Sequence, residues 1–146
     1  MQLSEFNHTR HIQIRFSDID MLGHVNNAIY LTYAEFARVP YFEKVFGKLI
    51  DWKETGLILA KAEIQYKKPV YLNDELIVGV RTTSVGEKSF VSEYGFFVKN
   101  DSGYVLVATG ETVLVCMNYL EGKTFKMPDS WKEAIRNHDS NPALKF

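Results

Sequence analysis

A single long helical segment among β segments is the feature that most limits how this chain can fold. From Asn27 to about Phe46 the apolar residues recur at the spacing of one helix face, and Gly47 supplies a stop. Asn26 or Asn27 is predicted to cap the first turn, because a short amide side chain accepts from its free N–H groups. Arg38 is expected outside the buried face. The spacing predicts a helix of about 20 residues whose buried face carries Tyr30, Tyr33, Ala34, Ala37, Tyr41 and Val45.

Most of the remaining chain has the alternation and composition of β-strands. A short strand is predicted from His11 to Phe16, at the edge of a sheet. Tight-turn residues at 85–87 and 100–103 join the last three long segments, which predicts an antiparallel meander. The long segments, rich in Val, Ile, Thr, Tyr and Phe, span 57–67, 74–85, 88–99 and 104–117, and a tail helix is predicted over 128–136.

The last long segment has apolar residues on both faces. Leu106 and Leu114 are expected on one face and Val107 on the other. One helix covers only one face of such a sheet, so a second subunit is expected over the other face or an edge. The predicted class is α+β, an antiparallel sheet of about five strands around one long helix.

Composition excludes several classes of function. The chain has 146 residues with 17 Lys+Arg against 18 Asp+Glu, which predicts one domain over 1–146 without the positive field that nucleic acid requires. No apolar run approaches the roughly 18 residues of a membrane span, and the first residues lack a signal-peptide pattern. The one cysteine, Cys116, lies in an apolar run and is expected to be a buried thiol. A cytoplasmic location is therefore expected.

Candidate chemistry is concentrated between the first strand and the helix, in Asp18, Asp20, His24, Asn26 and Asn27. Exposed N–H groups at a helix start stabilise an oxygen that becomes anionic, and a nearby carboxylate can act as a base or a nucleophile. Acyl transfer needs this combination. The alternative is structural: Asp and Asn side chains commonly satisfy turns and caps, and the histidine can be a half-buried, hydrogen-bonded imidazole.

The segment from Phe16 to Leu31, FSDIDMLGHVNNAIYL, continued by Tyr33, Glu35, Ala37 and Arg38, resembles the signature of hotdog-fold acyl-CoA thioesterases. The resemblance is closest to the 4-hydroxybenzoyl-CoA thioesterase/YbgC/FadM type and extends through 62–69 and 73–76. It implies a long helix wrapped by an antiparallel sheet, with dimers that pair their sheets edge to edge. The implied protein is a homodimer or homotetramer that hydrolyses acyl-CoA or acyl-carrier-protein thioesters without a metal or cofactor.

The resemblance also implies roles for individual residues. Asp20 corresponds to the catalytic Asp, which attacks the thioester carbonyl or activates water, and the backbone N–H near Asn27 polarises that carbonyl. His24 stands where one branch of the family has a histidine implicated in catalysis. In that branch, plant acyl-carrier-protein thioesterases have asparagine where this chain has Leu22, so the role of the histidine stays open. Asp18 ranks second, as an organiser of the loop.

The implied binding residues are less specific. Tyr30 and Tyr33 are candidates to line the acyl pocket, and Lys88 is the candidate cation for coenzyme A phosphates. Related hydroxybenzoyl enzymes have arginines where this chain has Gly86 and Glu87. Two other functions remain open: a hotdog hydratase or dehydratase, and a binding module without turnover.

Overall fold

The computed structural model describes residues 1–139 and 144–145. The described chain folds as an antiparallel sheet curled around one long helix, in the strand order β1, β3, β4, β5, β2, with β6 paired to β5. This confirms the predicted architecture and the meander of its last three long strands. The elements are β1 (His8–Ile12), α1 (Ile29–Phe46), β2 (Thr55–Tyr66), β3 (Leu76–Val85), β4 (Ser89–Asn100), β5 (Gly103–Asn118), β6 (Lys123–Thr124) and α2 (Asp129–His138).

Helix α1 buries all six residues of its predicted face. It ends at Gly47, whose φ of 48° lies in the left-handed region. Its start differs from the prediction, because Ala28 occupies the cap position without a capping side chain. Asn26 instead accepts the Ala28 N–H through Oδ1 at 2.9 Å. The amide therefore builds a turn just before the helix, and the predicted capping role was wrong.

Arg38 was expected outside the buried face of α1, and the structure corrects that prediction. Its side chain is only 9% exposed. Its guanidinium donates from Nη1 to the hydroxyl of Tyr94 on β4 at 3.3 Å. Periodicity missed this because a long, charged side chain can reach inward from the edge of a helix face.

The first strand is displaced from its prediction. β1 covers His8–Ile12 at the sheet edge, and Phe16 begins a turn of 3-10 helix instead of ending a strand. The Phe16 side chain is 83% exposed. The local cause is Asp18, whose carboxylate accepts the Arg15 N–H at 2.9 Å and so takes a backbone group that a strand would pair.

A β-bulge changes the faces of β5. Phe97 pairs with Leu106 and Phe96 pairs with Ala108, so Val107 is an extra residue in the ladder. Val107 is buried in the core, whereas Leu106 is only half-buried, which reverses the prediction for this end of the strand. The Val107 carbonyl accepts two N–H groups, from Lys67 and Lys68.

Helix α2 packs on the same side of the sheet as α1. Trp131 contacts the ring of Phe46 with centroids 5.6 Å apart, and its Nε1 donates to the Leu49 carbonyl at 3.2 Å. No such cover is present over β2, at the far edge of the sheet, where most residues of the described strand are exposed. Among the described residues, no helix is long and apolar enough to cross a membrane.

Candidate functional site

The loop before α1 is closed by its own backbone. Ile19 and Val25 form an antiparallel bridge, the Asp20 N–H donates to the His24 carbonyl at 3.1 Å, and the Gly23 N–H donates to the Asp20 carbonyl at 3.0 Å. Gly23 has a φ of 83°, a conformation that costs a residue with a side chain about 1–2 kcal/mol. The sequence therefore places a glycine where this tight turn requires one. Because residues 16–28 carry the candidate catalytic residues, we call this segment the catalytic loop.

Two backbone hydrogen bonds fix the catalytic loop to the rest of the fold. The Val25 N–H donates to the Val70 carbonyl at 2.8 Å, which ties the loop to the segment before β3. The Asn26 N–H donates to the Asp18 carbonyl at 2.9 Å, which joins the two arms of the loop directly before the helix. The loop is thus held against the start of α1.

Asp18 is the buried anchor of the loop, with 1% of its surface exposed. Arg15 donates to Oδ1 from Nη2 at 2.9 Å, and the Tyr33 hydroxyl donates to Oδ2 at 2.7 Å. Burial alone raises the pKa of Asp18, but the hydrogen bonds from Arg15 and Tyr33 outweigh it and hold that pKa below its ordinary value. The structure places Asp18 as an ionised, fully engaged carboxylate.

Asp20 is in a different environment. It is half-buried, and its Oδ1 accepts the Leu22 N–H at 2.9 Å. Its Oδ2 accepts no hydrogen bond from the described residues. One oxygen is thus oriented by the turn while the other is available to a reactant.

The backbone carbonyl of His24 accepts a hydrogen bond from Asp20. No contact between the His24 ring and Asp20 is found among the described residues. The imidazole is half-buried and meets the Tyr71 ring edge-on, with centroids 6.4 Å apart. Within the described part of the chain its ring nitrogens make no hydrogen bond. No described residue orients the ring toward a fixed acceptor or donor.

Asn27 presents a free backbone donor at the start of α1. Its N–H donates to no described residue, while its carbonyl accepts the Tyr66 hydroxyl at 2.8 Å. Tyr66 is the last residue of β2 and also packs edge-on against Tyr30 at 5.0 Å. The free end of β2 therefore holds the peptide that follows the predicted oxyanion donor.

Tyr30 and Tyr33, the candidate acyl-pocket residues, lie in the core. Tyr30 packs against Phe96, and burial raises its pKa to about 12. The Tyr33 hydroxyl is engaged by Asp18, and burial with that hydrogen bond raises the pKa of Tyr33 further. Both side chains are almost completely closed to solvent.

Lys88, the candidate phosphate cation, lies at the opposite end of the sheet. Its neighbour Ser89 pairs with Val115 of β5, whereas Tyr66 beside the catalytic loop pairs with Ala108. Seven residues of β-strand separate these positions, roughly 24 Å. The structure therefore does not bring Lys88 to the loop within a single chain.

An open groove runs between α1 and the inner side of β2; we call it the helix–strand groove. Its volume is about 470 Å³. Leu57 and Leu59 face into it because they pair with the buried residues Cys116 and Leu114. Its walls are formed by Glu35, Arg38, Val39, Phe42, Glu43, Trp52, Leu57, Leu59 and Leu114.

Sequence reasoning missed three contributors to this region: Arg15, Tyr66 and Arg38. Tyr66 and Arg38 contact residues that are distant in the chain, so local sequence patterns gave no signal for these contacts. The spacing of Arg15 and Asp18, three residues apart, is the one signal that was available. In the described residues, no group of three or more His, Cys, Asp or Glu side chains is arranged to hold a metal ion.

Comparison with known proteins extends these observations. Residues 14–135 match the family model of the thioesterase-like superfamily. A thioesterase from Thermus thermophilus, whose crystal structure contains coenzyme A and zinc, is 33% identical and superposes with a TM-score of 0.83 over 96% of this chain and 99% of that one. This match confirms the hotdog architecture expected above.

Two curated proteins show the breadth of the likeness. YsmA of Bacillus subtilis, described as uncharacterized, is 29% identical over 90% of this chain and 87% of its own length. The chloroplastic acyl-acyl carrier protein thioesterase ATL3 of Arabidopsis thaliana is 25% identical over 80% of this chain and 62% of its own length.

Proposed function

Since the chain belongs to the thioesterase-like superfamily and is a thioester hydrolase, we propose that Asp20 is its catalytic carboxylate and that acyl-CoA is its substrate. The observation that carries the proposal is the contrast between two aspartates of one loop. Asp18 has both oxygens engaged and is buried, whereas Asp20 keeps Oδ2 without a partner among the described residues. A nucleophile or general base needs such a free oxygen.

The proposed oxyanion donor is the backbone N–H of Asn27. It stands two residues before Ile29, the first residue of α1, where the helix dipole adds partial positive charge, and it has no partner in the described chain. The hydrogen bond from Tyr66 to the Asn27 carbonyl restrains the peptide that follows this donor. A restrained donor stabilises the developing oxyanion without reorganising during the reaction.

Two routes of hydrolysis use the same residues. In the first, an Asp20 oxygen bonds to the acyl carbon, the carbon–sulfur bond breaks, and the thiolate leaves; water then cleaves the mixed anhydride and restores the carboxylate. In the second, Asp20 takes a proton from water as the water oxygen bonds to the acyl carbon, and the leaving thiolate receives that proton. Both routes produce one free acid and one thiol.

His24 and Lys88 have supporting roles in the proposal. His24 contacts the thioester or an ordered water from its place in the catalytic loop. Lys88 binds a phosphate, and coenzyme A carries its phosphates at the opposite end of the molecule from its thiol. Tyr33 acts through Asp18, and Tyr30 forms the packed layer beneath the site.

Coenzyme A is proposed as the thiol carrier because the relative from Thermus thermophilus is described with coenzyme A bound. We further propose a member of the 4-hydroxybenzoyl-CoA thioesterase/YbgC/FadM type, formed by one domain over 1–146 and located in the cytoplasm, where a free, buried Cys116 stays reduced. The exposed edge of β2 supports a homodimer or homotetramer. Sedimentation over a range of concentrations tests this, and a monomer throughout would contradict it.

The direct test is thiol release from short, long and aromatic acyl-CoA thioesters, with Asp20→Asn beside the wild type. We expect kcat to fall by about 10²-fold or more while the fold and assembly stay intact. The matched control is Asp101→Asn, which makes the same change in an exposed turn between β4 and β5. Full activity in a folded Asp20→Asn variant would refute the proposed role. Turnover of acyl-carrier-protein thioesters alone would refute coenzyme A as the carrier.

A further inference from the structure

The two peptide groups that precede α1 have one free polar group between them. The first peptide, between Asn26 and Asn27, keeps its Asn27 N–H without a partner among the described residues, while its carbonyl accepts the Ile29 N–H at 3.0 Å. The second peptide, between Asn27 and Ala28, is bonded at both of its polar groups. Its N–H donates to Oδ1 of Asn26 at 2.9 Å, and its carbonyl accepts the Tyr66 hydroxyl at 2.8 Å. The proposed oxyanion donor is therefore free in the described chain, beside three groups that are held.

Two of these three bonds depend on specific side chains. The bond from Ile29 joins two backbone groups of a turn, which many sequences can form. The bonds of the second peptide instead require the amide of Asn26 and the hydroxyl of Tyr66, which lies 39 positions from Asn27 in the chain. Tyr66 reaches the catalytic loop only because β2 ends beside that loop.

Tyr66 is fixed before its hydroxyl reaches the catalytic loop. It pairs with Ala108, which is completely buried in β5. Its ring meets the ring of Tyr30 edge-on, with centroids 5.0 Å apart. The N–H groups of the next two residues both donate to the Val107 carbonyl, at 2.9 and 3.0 Å, so the backbone after Tyr66 is restrained as well. A hydroxyl on such a side chain has little freedom to leave its acceptor.

The hydroxyl of Tyr66 is suited to act on the loop without supporting the core. Burial raises the pKa of Tyr66 above its ordinary value of 10.0, so the group remains a donor at neutral pH. The side chain is nevertheless 47% exposed. A typical hydrogen bond contributes roughly 0.5–1.5 kcal/mol to stability, which is a small share of the total. Its removal should therefore release the peptide and leave the fold in place.

We propose that Tyr66 and the side chain of Asn26 are positioning residues of the hydrolysis, which hold the peptide after Asn27 and so aim the Asn27 N–H at the thioester carbonyl. The inference rests on the proposed function, because it takes this N–H as the oxyanion donor. Each peptide is planar, and successive planes turn about a shared Cα atom, so fixing one plane limits the next. A donor is most effective when its direction is set before the charge develops.

The first experiment compares Tyr66→Phe with the wild type in thiol release. The variant keeps the ring and loses only the hydroxyl. We expect kcat to fall by about tenfold with KM near its wild-type value, because removal of an oxyanion donor costs about 10²–10³-fold and misdirecting it costs less. Affinity for an S-alkyl coenzyme A thioether, which has no carbonyl, should not change. A wild-type kcat, or a rise in KM alone, would overturn the proposal.

Tyr119→Phe is the matched control for this experiment. Tyr119 is also partly exposed, and it follows β5 at the end that pairs with Thr55, the first residue of β2. The same substitution is thus made at the opposite end of β2 from Tyr66. We expect the wild-type kcat in this variant. A loss equal to that of Tyr66→Phe would overturn the proposal, because the loss would not depend on the bond to Asn27.

Asn26 provides a second test, and because it is exposed its variants decide the proposal even if Tyr66→Phe does not fold. Asn26→Ala removes the acceptor of the Ala28 N–H and should lower kcat by a similar factor. Asn26→Ser supplies an oxygen that accepts more weakly from the N–H two residues on, and should recover part of the loss. The double variant Asn26→Ala/Tyr66→Phe should lose less than the product of the single losses, since both release one peptide. Losses that multiply would overturn the shared role.

Failure of the proposed function gives a different result. If Asp20→Asn is fully active while Tyr66→Phe is slow, the catalytic carboxylate is wrongly assigned and the positioning role holds. If Asp20→Asn is inactive while Tyr66→Phe keeps its kcat, the positioning role alone fails. If no thioester is hydrolysed, NMR order parameters of the backbone amides decide. They should fall at Asn27 and Ala28 in Tyr66→Phe but not in Tyr119→Phe, and unchanged values at both amides would overturn the inference.

Discussion

The hydroxyl of Tyr33 donates to Oδ2 of Asp18 at 2.7 Å, fifteen residues away along the chain. Tyr33 lies on the first turns of α1, so this bond joins the catalytic loop to the helix whose N-terminus it precedes. It is also a bond inside the core, where both side chains are almost completely closed to solvent. The position of Asp20, two residues after Asp18, depends on it.

Tyr33→Phe should lower both stability and turnover. Removing a buried hydrogen bond to a charged group costs about 2 kcal/mol, and here it leaves Asp18 with one donor fewer. Urea unfolding and thiol release measure the two effects. Tyr104→Phe is the matched control, since its hydroxyl donates to Glu75 on the surface and its loss should change stability little. Equal losses in the two variants would contradict the anchoring role of Tyr33.

Protonation of Asp18 should lower the stability of the protein at acid pH. Its pKa in the folded protein lies below the ordinary value of 3.8, so its contribution is complete above that value and disappears as the pH falls through the folded pKa. Asp18→Asn should be less stable at neutral pH, with a shallower decline below pH 3.8. Chemical denaturation over this range measures the difference. Parallel curves for the two proteins would refute the prediction.

Gly23→Ala should affect the catalytic loop more than the fold. Its φ of 83° disfavours any side chain, although an added Cβ meets no atom within 4 Å. The cost is therefore conformational, about 1–2 kcal/mol, and it is relieved by distorting the loop that carries Asp20. Gly122→Ala imposes the same kind of strain at a φ of 64°, also in open space. We expect kcat to fall only in Gly23→Ala, and equal kcat values in the two variants would argue against this role.

His8 and His138 should weaken the fold when they are protonated. Both rings pack on Tyr41, and the end of α2 is held there by hydrogen bonds from the Tyr41 hydroxyl and the Thr82 N–H to Asp139. Burial is the main cause that lowers the pKa of each histidine below 6.5, and nearby Lys44 adds to it, whereas Asp139 acts in the opposite direction.

The lowered pKa values determine the direction in which stability changes with pH. Between the folded pKa and 6.5 the unfolded chain binds more protons, so stability is complete above about pH 6.5 and falls below it. Replacing His8 and His138 by Phe keeps ring packing without titration and should flatten the melting temperature between about pH 7 and pH 5. His11→Gln, on exposed β1, should leave the slope unchanged. A wild-type slope in the double variant would contradict the prediction.

The elements themselves were predictable because their signals are local. Six apolar residues at helical spacing lie on the buried face of α1, and the four long strands begin and end within about two residues of their predicted bounds. Gly47 ends the helix as expected. The cap of α1 and the bounds of β1 were not predicted correctly, because Asn26 and Asp18 bond to nearby backbone groups, which periodicity does not report.

The candidate site, too, could be predicted only in part. The pattern around Asp20 identified the loop, since two carboxylates, a histidine and amides before a helix are unusual in sequence alone. The residue pattern alone did not distinguish the roles of Asp18 and Asp20, and only the family resemblance assigned catalysis to Asp20 and the organising role to Asp18. That distinction depends on Tyr33 and Arg15 converging on one carboxylate and leaving the other with a free oxygen.

The amino-acid sequence alone thus determined the order of the elements, the buried face of the helix and the loop with the chemistry, because each follows from residues close together in the chain. Tertiary structure decided which polar groups meet. Strand register and helix placement determine three such features: the bulge that buries Val107, the contact of Tyr66 with Asn27, and the hydrogen bond from Arg38 to Tyr94. Those are set by packing the whole core at once, and no local spacing encodes them.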